Sequence, residues 1–184
     1  MDEKDLVARF DRLESREAIR QLATEYARRI DAKDLAGVAA LFVEDVRVGD
    51  EVGRAAREQA FRSNHGRTGR FRRTIHLVSG HSIDLDSTDA DRATGTVYCR
   101  AEHEYGALWV VAVIQYWDSY SRRDGTWLFE DRLIQTFYVA DVLERPNGEA
   151  IKHVLTNTGA ATVATLPQAW PSWAPFCREE GVIP

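Results

Sequence analysis

Two histidines stand near the ends of "TIHLVSGHSIDLD", residues 74 to 86, a run built from residue types that strands favour. A neutral imidazole, with an ordinary pKa of ~6.5, is the natural base near neutral pH. Held by a buried carboxylate, it becomes a proton-transfer device, because the carboxylate fixes its tautomer and stabilises the imidazolium. His76 and His81 therefore raise the question of which carboxylate could reach them. "EYARRIDAKD" offers Asp31, near the end of a helical segment, with Tyr26 five residues earlier and ~140° around the helix. The helix dipole disfavours a carboxylate there, so Asp31 needs a compensating cation or hydrogen-bond donor. Two placements meet that need: Arg28 or Lys33 compensates Asp31 on the surface, or Asp31 points inward and orients an imidazole. Tyr26 lies on the apolar stripe of its helix, so its hydroxyl needs a partner inside. Carboxylate, imidazole and phenol together are equipment for elimination, enolisation or intramolecular aldol cyclisation. None of these requires a cofactor.

The other constellations carry less. His81 is five residues from His76, which puts the two on opposite faces of a regular strand. "YCRAEH" alternates Tyr98, Arg100 and Glu102 with Cys99, Ala101 and His103, and parity alone leaves open which set faces inward. Arg54, Arg57, Arg62, Arg67, Arg70, Arg72 and Arg73 crowd into twenty residues. They lack an aromatic-interleaved platform, and the chain's net charge is -5, so they read as a solvated helix face and loop rather than a nucleic-acid site. The five histidines are scattered without metal-ligand spacing, so no metal is expected.

The elements that must hold these residues can be read from periodicity. Residues 3 to 31 are helical, with Leu6, Phe10 and Leu13 at i, i+4, i+7. Ser15 is a candidate cap for a second segment whose stripe is Ile19, Leu22, Tyr26 and Ile30. Asp34 caps a short helix, "LAGVAALF", with Leu35, Val38, Leu41 and Phe42 inward. "EDVRVGD" is a short strand and turn, and "GRAAREQAFRSNHGR" a helix ended by Gly66 and Gly69. Four strand-like runs follow, starting at residues 74, 92, 108 and 126, with Asp124-Gly125 closing the last hairpin. Helices before an antiparallel meander mean an α+β fold with the helices on one face of the sheet. The tail beyond Pro146 reads as irregular, and its Trp170, Trp173 and Phe176 need something to pack on.

Bulk composition fits one domain. The chain has 184 residues, 44% hydrophobic and 29% charged, with two cysteines far apart. No run approaches the ~20 apolar residues of a membrane span, and the charged N-terminus is no secretory signal. The expectation is a cytoplasmic protein without membrane or nucleic-acid partners.

In order and spacing, "IRQLATEYARRIDAKDLAGVAALFVEDV", "TIHLVSG", "DRATGTVYCRAEH" and "DGTWLFEDR" resemble the SnoaL-like branch of the NTF2-like superfamily, over roughly residues 10 to 140. The resemblance implies a cone, in which a strongly curved antiparallel sheet wraps N-terminal helices around a deep apolar pocket. It gives a domain over residues 1–145 and a separate tail over 146–184. Several members pair an aspartate of the first helix with a histidine of the strand after the third helix, and these match Asp31 and His76. Tyr26 matches a tyrosine used by the bile-acid dehydratase. His103 is near a second histidine of scytalone dehydratase, and Arg132 falls where an arginine lines the dehydrochlorinase pocket. The resemblance thus implies a cofactor-independent dehydratase- or cyclase-like enzyme acting on an apolar polycyclic or aromatic small molecule. The alternative is a non-catalytic pocket protein or structural subunit, as in ring-hydroxylating dioxygenases. "LWVVAVIQYWDSY" is apolar at both parities, so both faces of that strand should be buried. The outer face needs a partner sheet or the Trp-containing tail, and a homodimer or homotrimer through the sheet is expected.

Overall fold

The computed structural model describes residues 2–65, 71–143 and 165–181. The elements in chain order are α1 (Glu3–Asp31), α2 (Leu35–Ala39), β1 (Arg47–Val48), β2 (Glu51–Val52), α3 (Arg54–His65), β3 (Thr74–Leu85), β4 (Arg92–Tyr105), β5 (Leu108–Arg123), β6 (Thr126–Asp141) and α4 (Trp173–Glu180). The last four strands form one antiparallel sheet in the order β3-β4-β5-β6, with β1 and β2 a separate small hairpin. The architecture is α+β, with the N-terminal helices on the inner face of the sheet.

Helix α1 is one continuous rod. Asp2 caps it, its carboxylate accepting from the Asp5 N–H. Glu3 and Asp5 in the first turn and Arg28 and Arg29 in the last complement the dipole. Ser15 does not start a second segment; it is buried inside the helix. At ~100° per residue, Ile19, Tyr26 and Ile30 fall on one side, and they are buried in the core. Leu6, Phe10 and Leu13 fall on nearly the opposite side and are 55–66% exposed. The rod ends in a Schellman turn: Asp34 N–H donates to Arg29 O and Lys33 N–H to Ile30 O. Lys33 holds the left-handed position, φ 61°, where glycine is usual.

Asp34 then caps α2 through the Gly37 N–H, as expected, and Leu35, Val38, Leu41 and Phe42 are buried. Residues 41 to 43 pair with β6 through Val43 N–H to Phe129 O and Phe129 N–H to Leu41 O. The β5–β6 turn uses Asp124 and Gly125, both at positive φ, the geometry an Asp-Gly hairpin requires. Helix α3 stops at His65; Gly66, Gly69, Arg67 and Arg70 lie outside the described residues. The remaining arginines of that stretch are not simply a solvated face. Arg54 donates to Phe42 O, and the Arg57 guanidinium lies 4.6 Å from the centre of the Phe42 ring.

Sheet register decides what faces inward. Val97, Cys99, Ala101 and His103 are buried on the helix side, while Tyr98 and Arg100 are exposed on the outer face. The expectation for His81 fails. A bulge between Ser79 and His81, with Gly80 at φ 49°, inserts a residue and reverses the parity of β3. His81 therefore shares the inner face with His76.

The tail is not irregular throughout: α4 is helical, and the segment before it docks on the sheet. The Thr165 and Leu166 N–H groups both donate to Thr136 O. Trp170 donates to the Gln115 side chain and packs edge-on against Phe137. Both faces of β5 are buried within the single chain, with Val110, Ala112 and Ile114 inside and Val111 and Gln115 outside.

Candidate functional site

Asp31 occupies the last turn of α1, where its charge opposes the helix dipole, and β3 supplies the compensation. One carboxylate oxygen lies 2.7 Å from His76 Nδ1 and accepts from the Thr74 hydroxyl at 2.8 Å; the other accepts from the His76 backbone N–H at 2.8 Å. Arg28 is engaged elsewhere, with Glu25. Burial alone would raise the Asp31 pKa, but the His76 and Thr74 donors outweigh it and hold the carboxyl below its ordinary value. An ionised carboxylate can only accept, so His76 Nδ1 carries the proton, and in the neutral ring the lone pair is on Nε2. Among the described residues Nε2 has no hydrogen-bond partner. The His76 side chain is 7% exposed and that of Asp31 26%.

His65 and Phe71, which no motif marked, join Lys33 in completing this group. The Lys33 ammonium donates to Thr74 Oγ1 at 3.0 Å and lies 3.4 Å from His65 Nδ1. Burial lowers the Lys33 pKa, with Asp31 opposing. The His65 ring packs on Phe71, and Phe71 lies 4.3 Å, centre to centre, from His103. His103 stands edge-on to His76 at 5.5 Å. Burial, reinforced by neighbouring cationic groups, pushes His65 and His103 down to about 3, so both rings are neutral at pH 7. His103 Nδ1 is buried without a hydrogen-bond partner.

Tyr26 and Arg132 form a second group. Arg132 is buried on the inner face of β6, opposite Asp118 of β5. It donates to both Asp118 carboxylate oxygens at 2.7 Å, from Nε and Nη2. Its guanidinium lies 4.1–4.3 Å from the ring centres of Tyr26, Tyr116 and Phe129. Burial opposes the charge, but Asp118 outweighs it and keeps Arg132 cationic. Nη1 is buried without a partner. Burial raises the Tyr26 pKa, with Arg132 opposing, so Tyr26 stays a phenol. Tyr26 makes no hydrogen bond to Asp31 or His76.

The Asp118 cluster extends further across the sheet. Tyr120 donates to Asp118 at 2.7 Å, and His81 Nε2 lies 3.1 Å from the Tyr120 hydroxyl. Gly95 makes this reach possible. A Cβ there would meet Ser82 O at 2.6 Å, Tyr120 at 3.2 Å and His81 Nε2 at 3.3 Å. Cys99 is buried on the inner face of β4, and burial raises its thiol pKa to about 11.

Three surface grooves, of about 310 to 710 Å³, are lined by none of Tyr26, Asp31, His76, His103 or Arg132. Among the described residues, no three His, Cys, Asp or Glu side chains converge as metal ligands would, and no helix is long and apolar enough to cross a membrane.

Residues 11–132 match the family model of the SnoaL-like domain. No curated protein matches the sequence. Among solved structures, a candidate scytalone dehydratase from Novosphingobium aromaticivorans is similar at 27% identity and TM-score 0.61, covering 73% of this chain and 92% of that one. A hexachlorocyclohexane dehydrochlorinase from Novosphingobium barchaimii shares the fold at 21% identity and TM-score 0.63, covering 73% and 94%.

Proposed function

Because the chain belongs to the SnoaL-like domain family, we propose that it is a cofactor-independent lyase or isomerase of the dehydratase or cyclase type, acting on an apolar polycyclic or aromatic small molecule. The observation that carries this reading is the 2.7 Å contact between Asp31 and His76 Nδ1, which leaves Nε2 free as a base. Resemblance to proteins described as a scytalone dehydratase and a dehydrochlorinase supports the same reaction class. In this reading His76 Nε2 removes a carbon-bound proton, and Asp31 stabilises the imidazolium. The electron pair enters a new C=C bond, either expelling a leaving group or forming an enolate. Tyr26, a phenol at neutral pH, donates to a substrate oxygen, and His103 and Arg132 line the space beside it.

The test is turnover of a panel containing β-tetralone, a bicyclic β-hydroxyketone and a chlorinated cyclohexane, followed by deuterium exchange or product release. Wild-type protein should act on at least one, with His76→Gln and Asp31→Asn each much slower. Turnover that survives both substitutions would sink the base assignment. No turnover by wild-type protein would favour a non-catalytic pocket protein or structural subunit of the same fold.

A further inference from the structure

The last residue of helix α3 is His65. Lys33 lies 3.4 Å from His65 Nδ1 and can only donate, so Nδ1 is the acceptor and the ring proton sits on Nε2. Among the described residues Nε2 has no partner. The His65 and His103 ring centres are 6.5 Å apart, and those of His103 and His76 are 5.5 Å apart. Two imidazoles of one cluster are thus set in opposite senses: His76 Nε2 offers a lone pair and His65 Nε2 offers a proton. The backbone gives an independent sign. Lys33 takes the left-handed position that closes α1, where glycine would cost least. Strain of this kind persists where the side chain is held by its surroundings, and here the ammonium reaches both Thr74 and His65.

We propose that His65 is a substrate-contacting residue, held by Lys33 as a neutral Nε2–H donor, and that it hydrogen-bonds a carbonyl oxygen on the substrate. This rests on the reading of Asp31 and His76 as the base. The α-C–H bond breaks and its proton goes to His76 Nε2. Its electron pair forms the C=C bond, and the carbonyl π pair moves onto oxygen, where His65 meets the developing charge without giving up its proton. The substrate class narrows accordingly to carbonyl compounds with an acidic α-hydrogen. A pure halocarbon has no oxygen for this donor. Lys33 is a positioning residue: it sets the His65 tautomer and, through Thr74, supports the Asp31 carboxylate. The groups facing His65 are Lys33 and Asp31 from α1, His76 from β3 and His103 from β4.

Long-range proton–nitrogen NMR on the full chain, labelled in its histidine rings, tests this. From pH 8 to pH 5, His65 should remain neutral and in the Nε2–H form. In Lys33→Met its signals should move toward a tautomer mixture, whereas Lys33→Arg should keep the wild-type pattern. Titration with β-naphthol, an oxygen-bearing bicyclic probe, should shift the His65 Nε2 resonance. An Nδ1–H tautomer or an imidazolium at pH 7 in wild-type protein would overturn the proposal, even if Lys33→Met does not fold. An unchanged tautomer in folded Lys33→Met, or a His65 Nε2 resonance indifferent to millimolar β-naphthol, would do so as well. Asp31→Asn separates the two readings, because its loss of turnover bears on the base while His65 should keep its tautomer.

Discussion

A carboxylate at a helix C-terminus is a local electrostatic conflict, and Asp31 resolves it by taking three hydrogen bonds from β3. The demand for donors could be read from the chain; that Thr74 and the His76 backbone would meet it could not. Asp31→Asn leaves one acceptor oxygen for three donors and sets an amide NH2 in place of the other, which disfavours the Nδ1–H form of His76, so turnover should fall by about 10²–10⁴-fold in kcat. Steady-state kinetics on whichever panel member is turned over would measure this. The neutral histidines make a separate prediction about stability. Both are held at about 3 when folded, against ~6.5 in an unfolded chain. Between those values the unfolded chain binds more protons, so stability rises with pH across that window and is level above it. Each contributes a slope of up to about 1.4 kcal/mol per pH unit. Asp31, whose pKa is lowered, acts in the same sense at lower pH: its contribution is present above ~3.9 and lost as pH falls through its folded value. Urea unfolding at pH 7.5 and pH 5 should show a clear drop at pH 5, reduced in His103→Phe. Equal midpoints for wild-type protein at both values would contradict buried neutral rings.

Among the elements, β3 departs most from its pattern. Alternation puts residues 76 and 81 on opposite faces, but one extra residue at Gly80 returns His81 to the inside. Nothing in local composition separates a bulge glycine from a turn glycine, because both need only positive φ. The absence of a side chain at Gly95 then lets His81 of β3 reach past β4 to Tyr120 of β5. Gly95→Ala should cost about 1–3 kcal/mol, because the obstructing atom includes a backbone carbonyl that cannot swing away. A thermal shift below that expected for 1 kcal/mol would show that the strands part easily. On β5 and β6, Asp118 is fully buried opposite Arg132. Asp118→Ala should cost about 3–5 kcal/mol by stranding the guanidinium among aromatic rings. The double substitution Asp118→Ala with Arg132→Met should recover part of that loss in a denaturant cycle; strict additivity would show that the pair is not coupled.

At the scale of the molecule, the tail changes the argument for assembly. Apolar residues at both parities of β5 call for a partner sheet or the tail, and residues 165–170 dock against β5 and β6 from the same chain. The outer face of β3 and β4 keeps Ile75, Leu77 and Tyr98 exposed. The proposed homodimer or homotrimer is therefore expected to use that half of the sheet. Sedimentation at micromolar concentration should show little monomer, and Leu77→Glu with Tyr98→Glu should dissociate the assembly. A monomeric wild-type protein would remove this interface. A stable contact needs roughly 1,200 Å² of buried surface in all, more than these three side chains supply, so their polar neighbours Arg100 and Glu102 must take part.

By itself the chain determined the order of helices and strands, the Asp-Gly hairpin and the Asp34 cap, which rest on periodicity and turn chemistry acting over a few residues. The encounter of Asp31 with His76, 45 residues apart, was implied only by the family resemblance. Tertiary structure alone decided the inner face of residues 97–103, the return of His81, the Asp118 clasp on Arg132, and the Lys33–His65 contact 32 residues apart in sequence. Sheet facing follows register, and a single inserted residue reverses it. A buried charge finds its partner across strands, where sequence separation carries no mark of proximity. The exposed stripe of Leu6, Phe10 and Leu13 makes the same distinction: its spacing determined a helix, but which side the core lay on was set by packing further along the rod.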